Sequence, residues 1–477
     1  MKRRQWWLVL ILLLAAGLRF FHLDARSLWF DEALSILIGR LSVSQILEGT
    51  CSQHPPAYYL LLHAWGIVGE GDWFSRYPSV FASLLSVALT YQVGRLVFDH
   101  RVGLLGACGM AISPFQIYYA QEARMYTLLI MSSLGVLWFC ARGVLNPRSK
   151  SAWGGYILFG ILGLYSHYYV AWVLMAFHLW LLIFWRRSCA TWRSLLVADF
   201  VIGLAFLPRL GQFFQDTGRF VSVAKLMSPS PLAPLITLEY LLFGHLVSER
   251  WWGVRVAVLL LLLAWVILEW VRGRRQSRRR WMGLLLLIAG LPMVAVLIVS
   301  WLVRPIYIDR SFAMIAPFLI LFLAKGVADA PRRSPTLWTG ILLGALMLVG
   351  VVSAFAQPDI AKPPVREAIG VIAQDFREGD ISVHLDETYL SAVAYAPDLS
   401  PVLLNAGQYI WKSPPGRCPF GSYVVTSDEA LAAEGRLWLV ITDRSRQPWE
   451  GFLERVRQER QEDGVWDWSN LTLYRYR

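Results

Sequence analysis

Between Trp6 and Phe355 the chain alternates long apolar runs with short polar interruptions, and several runs reach the length of about 18 residues at which an α-helix crosses a lipid core. The runs lie at residues 6–21, 77–97, 102–119, 125–141, 152–169, 170–186, 194–209, 254–271, 282–302, 312–328 and 336–355, which predicts eleven spans. Lys2, Arg3 and Arg4 before the first run imitate a signal peptide. Arg19, Phe20, Phe21 and His22 follow it, however, where a cleavage site needs small residues, so the run reads as an uncleaved span.

The polar interruptions are not equivalent. Arg95 to Arg101, then Arg142, Arg148 and Lys150, then Arg186, Arg187 and Arg193 carry positive charge in every second loop. Arg272, Arg274, Arg275, Arg278, Arg279 and Arg280 follow, and then Lys325, Arg332 and Arg333. Positive charge stays on the cytoplasmic side, so the N-terminus is expected inside and the chain after Phe355 outside. Two outer segments exceed a turn: residues 22–76 and 210–253. In the first, Pro55 to Val68 is apolar but too short to span; the second is punctuated by Pro229, Pro231 and Pro234.

After Phe355 the period changes. Helices are expected from Val365 to Phe376, up to Tyr395, and from Trp449 to Gln461, with strands at Ile381 to Leu385, Pro401 to Leu404, Leu437 to Thr442 and Leu471 to Tyr476. Strands alternating with helices argue a small α/β domain with a partly parallel sheet. The expected organisation is thus a polytopic α-helical membrane domain over residues 1–355, with N-in/C-out topology, followed by an extracytoplasmic α/β domain over 356–477.

Composition supports this reading and excludes others. The chain is 56% hydrophobic and only 16% charged, against about a quarter charged in soluble domains. Its net charge of +12 divides into +17 over residues 1–355 and −5 over 356–477. The basic residues sit between apolar runs rather than along one face, which argues against nucleic acid. The five cysteines show no zinc spacing; Cys51 and Cys418 both fall in outer segments, where they are able to meet.

Ionisable residues at membrane level are costly and therefore candidates for chemistry. Asp31 and Glu32 follow Trp29 and Phe30 just after the first span, offering a partly desolvated base and a cation ligand; the plainer alternative is a capped helix from Ala33 to Arg40. His54 opens an interfacial helix with Pro55, Pro56, Tyr58 and Tyr59, and suits a phosphate or a metal. Glu122, Arg124 and Tyr126 mark the outer turn between the third and fourth spans, where the planar Arg fork suits phosphate. His167 marks the next outer turn. Arg304 and Arg310 lie outside against the charge rule, with Asp309 between them as a possible partner, and call for an anion. His245, with Glu249 and Arg250, adds a further outer polar group.

The ordered set Trp29-Phe30-Asp31-Glu32, His54-Pro55-Pro56-Ala57-Tyr58-Tyr59, Arg76-Tyr77-Pro78-Ser79, Gln121-Glu122-Ala123-Arg124-Met125-Tyr126 and Asp309-Arg310-Ser311-Phe312 resembles the C-type integral-membrane glycosyltransferases. More narrowly, it is similar to bacterial members of glycosyltransferase family 39, relatives of the protein O-mannosyltransferases and the lipid A aminoarabinose transferase. The resemblance covers residues 1–330 well and the tail less closely. It implies an inverting transfer of one sugar, from a polyprenyl-phosphate donor to a lipid, glycan or protein acceptor, on the outer face of the cell (inner or plasma) membrane. Asp31, Glu32 and Glu122 are then the expected catalytic acids, and His54, Tyr58, Tyr59, Arg124, Tyr126, His167, Arg304 and Arg310 the expected substrate contacts. Glu32, Glu122, His54 and His245 are the candidate ligands of a divalent metal ion. One branch of the family has a lysine before the paired prolines, where this chain has His54. The alternative from another class is a polyprenyl-linked glycan flippase; transporters place their polar groups near the membrane midplane, whereas here the carboxylates gather outside.

Overall fold

The structure, a computed structural model, describes residues 2–477 except 50, 53, 185–187, 224–227, 245–251, 273–275, 332–333, 357–361, 405–417, 421–423 and 444–445. The chain divides into two compact units, the first made of Met1–Phe21, Gln53–Tyr58 and Arg76–Ala356, the second of His22–Ser52, Tyr59–Ser75 and Gln357–Arg477.

The first unit is helical, and the described parts of the apolar runs fall mostly on helices, from Lys2–Phe20 to Pro335–Ala356. Among the described residues six helices are long and apolar enough to cross a membrane: Asp72–Val97, Tyr126–Leu145, Cys189–Asp216, Arg280–Leu302, Asp309–Asp329 and Leu337–Ala356. Counting the bent pair His100–Ile112 and Pro114–Ala120 as one span makes seven. The other apolar runs fall on shorter helices, among them Trp6–Phe20 and Val170–Phe184. The 59° bend has a local cause. Ser113 is extended and accepts a hydrogen bond from the Gln116 N–H, while Pro114, which lacks an N–H, opens the second helix.

Small residues let these helices approach. Phe159 occupies the place a Cβ on Gly135 would take, 2.2 Å away, and Phe139 does the same at Gly155, so the helices Tyr126–Leu145 and Lys150–Leu164 interlock reciprocally. Charges inside this unit are bonded to protein groups. The fully buried Arg19 donates to Ser83 Oγ at 2.8 Å and to the carbonyls of Ala15, Met110 and Ala111. Two of those carbonyls belong to the last turn of His100–Ile112 and have no partner within the helix. Asp199 accepts from Tyr156 at 2.8 Å and pairs with His178 at 2.7 Å.

The second unit is built on a six-stranded sheet. Its strands are β1 (Ile381–His384), β2 (Pro401–Leu404), β3 (Val424–Val425), β4 (Leu437–Thr442), β5 (Glu462–Trp468) and β6 (Leu471–Tyr476), in the order β3-β2-β1-β4-β6-β5. The first four pair in parallel; β6 runs antiparallel to β4 and β5. Strand β4, Leu-Trp-Leu-Val-Ile-Thr, is buried throughout, as a central strand covered on both faces must be. The start of β1 approaches β4 so closely that a Cβ on Gly435 would meet the Gly379 carbonyl at 2.2 Å; Gly379 itself has φ +89°.

The helix Asp386–Tyr395 packs against the helix Phe30–Gly39. Their shared core contains Leu28, Ala33, Leu37, Tyr59, Tyr389, Leu390 and Leu403. Cys51 and Cys418 form a disulfide with Cα atoms 5.3 Å apart.

Candidate active site

Within the first unit, the turn Gln121–Met125 is the structural centre of the candidate residues. It joins the helices Pro114–Ala120 and Tyr126–Leu145, and an Arg124 N–H bond to the Glu122 carbonyl at 2.8 Å tightens it. A relay of hydroxyls fixes it from outside: Tyr58 donates to Ser79 Oγ at 2.7 Å, and Ser79 donates to the Arg124 carbonyl at 3.2 Å. Gln121 Nε2 donates to the Phe21 carbonyl at 2.7 Å and the Arg19 carbonyl at 3.1 Å, tying the turn to the end of the first helix. Both Glu122 and Arg124 are buried.

From this turn the Arg124 guanidinium reaches His54 Nε2 at 3.5 Å and lies over the Tyr126 ring at 5.8 Å. His167 completes the group, its ring 5.5 Å from that of His54 and 6.3 Å from that of Tyr126. The Tyr169 backbone N–H donates to His167 Nδ1 at 3.2 Å. Nδ1 is therefore an acceptor, and the proton of the neutral ring sits on Nε2. That Nε2 is buried and has no hydrogen-bond partner among the described residues.

The electrostatics follow from burial beside permanent cations. Burial, then Arg124, pushes the His167 imidazole down to about 3. His54 is held well below the usual histidine range by burial, then by the charges of Arg124, His167 and Arg310. At neutral pH both rings are uncharged, and the positive field here comes from the two arginines.

Arg310 lies on the segment Asp309–Ile315, which is held to its surroundings by several contacts. Tyr307 and Tyr169 flank Phe312 at ring distances of 4.8 and 5.6 Å. Thr237 hydrogen-bonds the Tyr307 hydroxyl at 2.8 Å and donates to Asp309. Arg304 is half-buried just after the helix Gln276–Leu302 and makes no ion pair among the described residues. His245, Glu249 and Arg250 lie outside the described residues.

The remaining candidates belong to the second unit. Asp31 and Glu32 do not precede a helix at Ala33: the helix starts at Phe30, with Trp29 at the N-cap and no side-chain cap bond, so both acids stand in its first turn. Their charge there complements the helix dipole. Asp31 is half-buried; Glu32 is fully buried and pairs with Lys362 Nζ at 2.6 Å. Tyr59 packs in the apolar core beside Cys51 and Tyr389.

Sequence reasoning overlooked Lys362, Tyr119 and Tyr240. The Tyr119 ring lies 4.8 Å from Tyr126, and its hydroxyl meets that of Tyr240 at 2.7 Å. A tyrosine at the end of an apolar run, two residues before Gln121, was a readable signal for Tyr119; Lys362, in a proline-flanked linker, offered none. Among the described residues no three His, Cys, Asp or Glu side chains are grouped to hold a metal ion.

Residues 53–211 match the model of the family described as dolichyl-phosphate-mannose-protein mannosyltransferase. Over 216 residues the chain is 29% identical to the undecaprenyl phosphate-alpha-4-amino-4-deoxy-L-arabinose arabinosyl transferase of Pseudomonas aeruginosa (strain UCBPP-PA14), a match covering 41% of this chain and 37% of that protein. The chain thus spans well under half the length of this curated relative. Among solved structures, ArnT from Cupriavidus metallidurans bound to undecaprenyl phosphate superposes with a TM-score of 0.62 at 13% identity, covering 98% of each chain. The archaeal oligosaccharyltransferase AglB from Archaeoglobus fulgidus, in complex with an inhibitory peptide and a dolichol-phosphate, gives 0.55 at 12% identity, covering 99% of this chain and 74% of that one.

Proposed function

We propose that this chain, a C-type integral-membrane glycosyltransferase by fold and by the sequence of residues 53–211, moves one sugar from a polyprenyl-phosphate donor to an acceptor hydroxyl or amine outside the membrane. The observation that carries the reading is the group of buried Arg124, His167 and Tyr126 with half-buried His54, on which Arg310 also acts. Two fixed cations beside two uncharged imidazoles, at the outer end of membrane helices, form a receptor for a phosphate carried on a lipid. Arginine suits it because its planar fork bonds two phosphate oxygens at once.

The chemistry follows from what such a donor needs. Displacement at the anomeric carbon passes through a state with oxocarbenium character, while negative charge grows on the departing phosphate. Arg124 and Arg310 stabilise that charge where it develops. The His167 Nε2–H is a neutral donor for the same oxygens. Asp31 takes the acceptor proton, and attack from the face opposite the phosphate inverts the configuration. Glu122, buried in the turn that carries Arg124, balances its charge, and Tyr126 packs against the sugar. A divalent ion, where one is used, would add Lewis-acid stabilisation of the phosphate; none of the steps above is routed through it.

The membrane arrangement belongs to the same proposal: eleven spans, N-terminus inside, with residues 22–76 and the tail on the outer face of the cell membrane. The acceptor is a lipid, glycan or protein reached from that side. Arg19, Asp199 and Lys325, ionisable groups on apolar helices, are bonded to protein partners, which supports surface chemistry over transport. The deciding experiment measures release of polyprenyl phosphate from labelled polyprenyl-phosphate sugars by the full chain in membrane vesicles. Asp31→Asn should lower turnover by about 10²–10⁴ with donor KM little changed, as for loss of a general base. A folded variant with near-native turnover would remove Asp31 from the chemistry.

A further inference from the structure

We propose that Lys362 is a positioning residue for Asp31, and that Glu32 is its anchor rather than a second base. The inference rests on the functional reading above for what Asp31 does, and on the geometry of the second unit for how Asp31 is held.

Two adjacent acids on one helix cannot share a role, because consecutive residues point about 100° apart around the axis. In this chain Glu32 turns inward. Its carboxylate meets Lys362 Nζ at 2.6 Å, and both side chains are buried. Burying two charges costs several times what an exposed pair gains, so such a pair is poorly explained by stability; its best-attested use is to specify one register over its neighbours. Here the register at stake is rotation of the helix Phe30–Gly39. With Glu32 locked inward, Asp31 is left half-buried at the adjacent position.

The surrounding bonds serve the same end. Before the helix, Arg366 Nη1 binds Asp24 Oδ1 at 2.8 Å, Ser27 Oγ donates to Glu367 at 3.0 Å, and the Leu28 N–H donates to the Tyr395 hydroxyl at 2.6 Å. Tyr395 in turn donates to Asp72 at 2.6 Å. After the helix, Cys51 is bonded to Cys418. The tail therefore grips the first outer segment on both sides of Asp31, and Lys362 supplies the grip beside Asp31 itself.

The test uses the full chain in membrane vesicles, with Lys362→Met, Lys362→Arg, Glu32→Gln and the double variant Glu32→Gln/Lys362→Met. Lys362→Met removes the cation paired with Glu32 and should lower kcat on the order of 10²-fold, as for a displaced catalytic group, with donor KM unchanged. Lys362→Arg should recover much of the loss. The double variant, which removes both charges of the pair, should be more active than Lys362→Met alone, whereas removing Lys362 should bring no relief to Asp31→Asn. Hydrogen exchange over residues 30–39 gives a readout without activity: Lys362→Met should accelerate it in the native background and not in Glu32→Gln. Unchanged exchange in Lys362→Met, or a Glu32→Gln loss as large as that of Asp31→Asn whatever stands at 362, would overturn the proposal. Failure of the native chain to release polyprenyl phosphate would overturn the functional reading instead, and the exchange measurements would still decide the coupling.

Discussion

Arg124 is the residue on which the candidate site turns, since its charge acts on both histidines and its backbone anchors the hydroxyl relay from Tyr58. Arg124→Gln removes one of the effects that depress the imidazoles; burial remains at both, and the charge of Arg310 remains at His54. Both rings should therefore titrate higher than in the native chain while staying below the ordinary value near 6.5. Histidine NMR of the labelled protein measures this, and unmoved resonances would show that Arg124 does not reach them. Arg124→Lys keeps the charge but loses the fork. Donor KM should rise about tenfold, the worth of roughly one charge-assisted hydrogen bond. An unaltered KM would mean that the phosphate is held elsewhere.

At the scale of elements, the sheet of the second unit contains its own pH dependence. His384 on β1 is fully buried between Ser382 Oγ at 2.7 Å and Thr388 Oγ1 at 3.2 Å, and burial pushes it down to about 3. The unfolded chain binds this proton near 6.5, so the stabilisation is complete above that pH and is lost as pH falls from about 6.5 towards 3. Asp380 behaves likewise lower down: burial alone would raise it, but bonds from Arg436 and Trp438 outweigh burial and hold it below 3.8. Thermal unfolding of the full chain, followed by tryptophan fluorescence, should show stability declining below pH 6.5, and His384→Gln should flatten the upper part of that decline. The disulfide acts on another element. Cys51→Ser should cost about 2–5 kcal/mol and expose residues 22–52 to proteolysis. Equal cleavage with and without reductant would show that packing of the helix Phe30–Gly39 suffices.

For the whole molecule the decisive property is sidedness, because the proposed polyprenyl-phosphate donor and its acceptor must meet on one face of the bilayer. In a background lacking Cys108, Cys140 and Cys189, Glu459→Cys should react with an impermeant thiol reagent on intact cells. Arg148→Cys should react only after permeabilisation. Labelling of Arg148→Cys from outside would invert the arrangement and remove the proposed site from the outer surface.

The sequence alone determined the helical membrane body, because apolar runs of span length have few other places to go, and it determined the strands β1, β2, β4 and β6, whose apolar and β-branched residues are read locally. It did not reveal β5, Glu-Asp-Gly-Val-Trp-Asp-Trp, an edge strand too polar to announce itself, with a register irregularity at Gly464. The motif around Glu122 was legible because its residues are contiguous. That Arg124 touches His54 and governs His167 was not, since those residues are 70 and 43 positions away in sequence and meet only when helices pack. The resemblance singles out Asp31 as the base, but the buried partner of Glu32 was likewise invisible, since that lysine stands 330 positions away in sequence.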